Sequence, residues 1–228
     1  EAIATGSATP PDPAAIAAKW LDPKGRSEIM THLRDIAVYT KVVDGPQAIV
    51  QQFERERVVP MYQRVANAIR DVDTRHILFI GTLMACNMGI RTGIEPLTLR
   101  NGSRDPQQAY APHGYDIVVD TPDLANASSD RVQLIFDRHA ESGKRLGMPV
   151  LIGEWGAYGG SGTEIVPAAE FNARLFEKHL FSDTYWDYGQ EIANASYLPA
   201  LVRAAPERVS GTLVSYANDP EAGVFICV

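Results

Sequence analysis

Pro149-Val-Leu-Ile-Gly-Glu-Trp-Gly156 is the stretch on which the reading of this chain turns. A short apolar run, Pro149 to Ile152, has the composition of a strand buried on both faces of a parallel sheet. It leaves through Gly153 into a carboxylate and an indole. Upstream, Ser129 or Asp130 caps a helix that carries Val132, Ile135, Phe136 and His139 on one face and stops at Gly147. Downstream, Pro167 to Leu180 has helical spacing, and Thr184-Tyr-Trp-Asp-Tyr188 is a further strand and exit. Strand and helix therefore alternate, which is the pattern of an α/β fold with a parallel sheet.

The alternation extends towards the N-terminus. Ile77-Leu-Phe-Ile80 is another short apolar strand, and a Gly-, Asn- and Arg-rich loop from Leu83 to Gln108 leads to the strand Ala109-Tyr-Ala-Pro-His-Gly-Tyr115. Ala48 to Arg70 is amphipathic at helical spacing, with Pro60 placed to kink or restart it. Asp44-Gly-Pro46 is a break. Residues 14–22 form a short helix ended by Asp22-Pro-Lys-Gly25, and Ser27 caps the next one, which runs on through Ile36 and Ala37. Residues 1–13 are small, polar and Pro-rich, as loops are. After about Arg203 the pattern changes: Gly211 to Tyr216 and Gly223 to Val228 flank Asn218-Asp-Pro-Glu-Ala222, the signature of a β-hairpin.

The chain has 228 residues, 45% of them hydrophobic and 21% charged, which is ordinary globular material. A net charge of -7 leaves no basic stripe to replace counterions on a nucleic acid, and argues against docking on anionic lipid. Cys86 and Cys227 do not make a disulfide framework, and two free buried thiols are the reading preferred over one bridge. No segment approaches the ~20 apolar residues of a membrane span. The N-x-S/T sequons at Asn101, Asn126 and Asn194 suit a secreted or extracytoplasmic protein. The chain opens at Glu1 rather than Met, so it is read as processed or truncated.

In a parallel α/β barrel, polar residues directly after the strands line the site. Three exits qualify: His113-Gly-Tyr115, Glu154-Trp155 and Trp186-Asp187-Tyr188. Glu154 is the sharpest candidate, since a carboxylate aimed into a cleft can attack an anomeric carbon. Its plain alternative is a strand-end acid in a salt bridge. His113 and Tyr115 are two apart on a strand and face the same way, so either can hydrogen-bond the carboxylate or a sugar hydroxyl. His113 as an interior histidine is the competing reading. A metal set of His113, Glu154 and His139 is a further alternative, although the spacing follows no zinc pattern. Trp186 is either a platform for a sugar ring or a core aromatic beside Tyr185 and Tyr188. His76 and His179 are read as structural, and Gly159-Gly-Ser-Gly162 as a flexible loop over the site.

Pro60 to Arg70, Ala109 to Asp116, Pro149 to Gly156 and Asp183 to Tyr188, taken in order, resemble family 5 glycoside hydrolases of the cellulase superfamily, most closely the endoglycoceramidase-like branch. The resemblance spans roughly residues 45–228. It implies the C-terminal half of a (β/α)8 TIM barrel followed by the start of a small antiparallel β domain. Residues 1–205 are then a partial catalytic domain, with a helical segment over 1–75 and strands five to eight of the barrel over 76–205; residues 206–228 begin the β domain. It further implies that Glu154 is the nucleophile of a retaining O-glycosyl hydrolase, that His113, Tyr115 and Trp186 orient it or bind substrate, and that neither metal nor organic cofactor is needed. A β-glucoside or β-galactoside with an apolar aglycone, such as a glycosphingolipid, is the implied substrate. One departure stands out. The family's acid/base lies in an Asn-Glu-Pro run that this sequence lacks, with Glu1 as the remaining candidate. Half a barrel has open edges, so a missing N-terminal half is expected in trans or from another copy, unless residues 14–42 cover an edge. A non-catalytic carbohydrate-binding chain and a metal-dependent barrel hydrolase are the rival readings.

Overall fold

A computed structural model describes residues 12–119, 121, 126–158, 160 and 162–228. Glu1, Gly159 and Ser161 lie outside the described residues, and with them the expectations placed on Glu1 and on the loop 159–162 as a whole.

The N-terminal helices are α1 (Pro13–Leu21), α2 (Pro23–His32), α3 (Ile36–Asp44) and α4 (Gln47–Phe53). Asp22-Pro23 breaks the first helix, as expected, since α1 ends at Leu21 with Asp22 as its C-cap, and the same pair also starts α2. The Asp22 carboxylate accepts from the Gly25 amide at 2.7 Å, and Pro23 sits where no N–H is needed. Ser27 is thus inside α2 rather than its cap. Asp35 caps a separate helix by accepting from Ala37, so the expected run through Ile36 is two helices. After α4 the chain makes one π-helical stretch, Glu54–Val58, and continues as α5 (Val59–Arg70). Pro60 follows directly on the π-helical stretch, where the hydrogen-bond ladder is already out of α-helical step, and the helix runs on through it.

The strands follow: β1 (Leu78–Ile80), β2 (Gln108–Tyr110), β3 (His113–Gly114), β4 (Leu151–Gly156) and β5 (Ser182–Trp186). β1 pairs parallel with β2, and β3–β4–β5 pair parallel in that order. A parallel bridge between Tyr110 and Val150 joins the two groups. The expected strand Ala109–Tyr115 is interrupted at Pro112, which has no N–H to donate; its carbonyl accepts from Gly153 instead. Helix α6 (Ser129–Leu146) connects β3 to β4, and α7 (Val166–His179) connects β4 to β5. Ser128, one residue before the expected cap, accepts from Arg131, and Gly147 ends the helix in a left-handed conformation.

The core lies between the sheet and this helical layer. Ile80, Tyr110, Leu146 and Met148 pack with Ala66 of α5. Ile152 and Trp155 of β4 pack with Ile135, Phe136, Leu175 and Phe176. The other face of the sheet is open: Phe79 is 57% exposed and Trp186 51%. Helix α3 does not cover a sheet edge. It lies on the helical layer, where buried Tyr39 and Val43 meet Ile90 and the Arg131 guanidinium stands 5.8 Å from the Tyr39 ring centre. Arg131 is itself buried, held by Asp116 at 2.8 and 3.0 Å and by the Leu33 carbonyl at 2.9 Å.

A short α8 (Leu198–Leu201) precedes an antiparallel hairpin, β6 (Tyr216–Asp219) with β7 (Val224–Cys227). Glu177 of α7 ties it down. Its Oε1 accepts from Arg203 at 2.6 Å and its Oε2 from the Asn218 amide at 3.3 Å. Both cysteines are free, as expected, but only Cys86 is buried; Cys227, on β7, is exposed. Among the described residues no helix is long and apolar enough to cross a membrane.

Candidate active site

The Glu154 side chain owes its direction to a bulge. Along β4–β5, Ile152 is partnered with Asp183 and Trp155 with Tyr185, so Gly153 and Glu154 together stand opposite Thr184 alone. Ile152 and Trp155 both face the helices. Plain alternation from Ile152 would turn Glu154 towards the helices as well. The extra residue reverses the phase, sends the Trp155 ring into the core, and leaves Glu154 on the open face of the sheet. Gly156 follows with φ 93° and lies so close to the Tyr185 ring that a Cβ there would stand 2.3 Å from Cε2. No other residue type fits at that turn.

Three of the predicted residues converge. His113 is the direct partner of Glu154 across β3–β4, and Tyr115 is two residues further on the same side. The Tyr115 hydroxyl donates to Glu154 Oε2 at 2.9 Å, and His113 Nδ1 is 3.2 Å from the same oxygen. Oε1 has no hydrogen bond among the described residues. The side chains of His113 and Glu154 remain 37% and 32% exposed, open enough to meet a ligand. The Tyr115 backbone is held too: its amide donates to the Asn87 carbonyl at 3.2 Å.

Trp186 is partnered with Gly156 at the end of β5. Thr184 and Trp186 share the face opposite Asp183 and Tyr185, so the indole stands on the same face as Glu154. The core-aromatic alternative fails for Trp186, and for Tyr188 at 91% exposed. It holds for Tyr185, whose hydroxyl meets that of Tyr197 at 2.9 Å beside Tyr158.

The metal set is not assembled. His139 is buried in α6, with Nε2 donating to the His113 carbonyl at 3.0 Å. Since Nε2 carries the proton, Nδ1 accepts from the Tyr110 hydroxyl at 2.9 Å. Burial lowers its pKa to about 4, so the ring is neutral and both nitrogens are used. Among the described residues no group of His, Cys, Asp and Glu has the arrangement of a metal site. His179 and His76 pair with Asp137 and Asp73, away from Glu154.

One residue behind the site gave no sequence signal. Glu54, in the π-helical stretch, is fully buried. It accepts from the Leu83 amide at 3.1 Å, the Gly93 amide at 2.5 Å and the Thr92 hydroxyl at 2.8 Å. It thereby ties down the loop after β1, which carries Asn87. In sequence Glu54 is one charge among Glu54-Arg-Glu-Arg57 on an amphipathic helix, and nothing marks it as the inward one.

The sequence over residues 38–192, more than half of the chain, matches the family model of cellulase, glycosyl hydrolase family 5. The chain belongs to this family. A search by sequence among curated proteins finds no match. Among solved structures, endo-glycoceramidase II from Rhodococcus sp. in its five-membered iminocyclitol complex superposes with a TM-score of 0.58 at 19% identity. The alignment covers 93% of this chain and 58% of that one. The lactosyl-enzyme intermediate of the same enzyme gives a TM-score of 0.56 at 20% identity, covering 90% of this chain and 51% of that one. At these identities the likeness concerns the fold. The chain thus carries part of a TIM-barrel fold and spans little more than half the length of these similar structures.

Proposed function

We propose that the chain carries the nucleophile side of a retaining glycoside hydrolase site, with Glu154 as the nucleophile. The observation behind this is the state of its carboxylate. Oε2 is engaged by Tyr115 and His113, while Oε1 is free at the C-terminal end of a parallel strand, on the face that carries Trp186. Active sites of parallel barrels are built at that end. In this mechanism Oε1 attacks the anomeric carbon, the glycosidic bond to the leaving group breaks, and a covalent glycosyl-enzyme forms. Water then releases the sugar with retained configuration. Tyr115 and His113 hold the carboxylate, and Trp186 offers a flat apolar surface to the sugar ring.

The general acid would be a second carboxyl ~5–5.5 Å from Glu154. No Asn-Glu-Pro run occurs in the sequence, so that group comes either from Glu1 or from a complementary half of the barrel in the same or another polypeptide. Under this reading residues up to 205 are the last four strands and helices of the barrel. Residues 206–228 begin a β domain. The substrate is a β-glycoside with an apolar aglycone, of which a glycolipid is the leading case. Support comes from the exposed aromatic side chains at the exit of β5, Trp186 and Tyr188.

The direct test is Glu154→Gln in the complete protein. It keeps the size of the side chain and should lower turnover of an aryl β-glycoside by several orders of magnitude with folding intact; near-normal turnover would sink the assignment. Because the acid motif is missing, a non-catalytic carbohydrate-binding chain is the second reading. A mechanism-based fluoro-glycoside separates the two, since a binder gives calorimetric heat with sugar but no covalent adduct on Glu154.

A further inference from the structure

The bulge that aims Glu154 needs something to hold it, because a one-residue slip between β4 and β5 would return the carboxylate to the helix face. Two contacts from β5 sit at this point. The Thr184 hydroxyl donates to the Gly153 carbonyl at 2.5 Å and reaches the Ile152 carbonyl at 3.4 Å. Thr184 is the residue opposite the bulge, so its side chain supplies a donor where the ladder is out of step. On the other face, the Asp183 carboxylate accepts from the Trp155 indole N–H at 2.8 Å. That bond fixes the ring whose inward turn forces Glu154 outward.

We propose that Thr184 is a positioning residue for the Glu154 carboxylate. Its hydroxyl pins the Gly153 carbonyl and so keeps the bulge in the register that presents Oε1 to the cleft, with the Asp183–Trp155 bond bracing the far side. The inference rests on Glu154 being the nucleophile. Thr184 needs no contact with substrate, and its effect falls on the chemical step rather than on sugar binding. The side chain is exposed on the open face, so removing the hydroxyl leaves the apolar core intact.

The test uses the full chain and a fluoro-sugar with a dinitrophenolate leaving group. This probe departs without protonation, so its labelling rate reports on the nucleophile alone. Thr184→Val keeps the shape and loses the hydroxyl. It should label Glu154 ~10–100-fold more slowly at saturating probe, the scale expected when a reacting atom is displaced by about an ångström, with the half-saturating concentration unchanged. Thr184→Ser restores the hydroxyl and should label at the wild-type rate, which a purely volumetric role would not produce. A crystal structure of Thr184→Val should show Glu154 displaced or the β4–β5 register shifted. Wild-type labelling by the Val variant overturns the proposal, and so does a Ser variant as slow as Val. If wild-type protein takes up no label at Glu154, the nucleophile reading itself fails, an outcome distinct from either of these.

Discussion

Replacing Glu54 by Ala should be among the most damaging single substitutions outside the candidate site. The carboxylate is fully buried and accepts from two backbone amides, Leu83 and Gly93, from the Thr92 hydroxyl, and at 3.6 Å from the Cys86 thiol. Each buried donor left without an acceptor costs ~1–3 kcal/mol. The two amides cannot turn away without moving the loop. At Gly93 the loop is so close to Gln51 that a Cβ would stand 2.6 Å from its backbone, which leaves little room to relax towards water. Allowing the hydroxyl to re-pair, the two amides bring the loss to about 2–6 kcal/mol, a large share of the ~5–15 kcal/mol that stabilises a typical domain. Urea unfolding followed by far-UV circular dichroism measures it. Thiol labelling gives a second readout: in the wild type only exposed Cys227 should react quickly, whereas in Glu54→Ala the loosened loop should expose Cys86 as well. Burial and the Glu54 charge both raise the Cys86 pKa, so its native thiol is protonated and inert. A loss below about 1 kcal/mol, with Cys86 still protected, would refute the argument that this carboxylate holds the loop.

Two further outcomes follow from buried polar groups. His139 is neutral in the fold, its pKa depressed from 6.5 to about 4 by burial, so the unfolded chain binds the proton more readily. Stability should therefore be fully present above about pH 6.5 and fall as pH drops towards 4, by up to ~3 kcal/mol from this group. Urea midpoints across that range check it, and His139→Phe should flatten this part of the profile. Glu177→Ala removes the acceptor for Arg203 and for the Asn218 amide. It should cost ~2–3 kcal/mol locally and strip amide-exchange protection from Val224 to Cys227 while leaving that of β4 unchanged.

The positions of the predicted site residues were legible because strand exits announce themselves. A short apolar run ending in a polar residue located Glu154, polar and aromatic residues at the exits of two further strands located His113 and Trp186, and a spacing of two put Tyr115 with His113. Helix limits were legible where Gly or an interior apolar stripe marked them, as at Gly147 and along α6. Asp22-Pro23 ended α1 as its composition announces, but the immediate start of α2 was not legible, because an Asp-Pro pair serves equally to stop one helix and to cap the next. Only the carboxylate's partner, the Gly25 amide, shows that it does both here. Glu54 was invisible because a buried acid and a solvated one look alike until the chain brings donors to it.

What the sequence determined by itself is the alternating α/β order, the helical faces and the chemical types gathered at the strand ends. These are local properties: periodicity, caps and breakers act over a few residues. What only the tertiary structure decided is the direction of Glu154. Period-two alternation from Ile152 points it at the helices. The packing of Trp155 against Phe176 and Tyr185, and the bonds from Thr184 and Asp183 across to β4, insert one residue into the ladder and turn it round. A register is a relation between two strands, and one strand's sequence does not contain it.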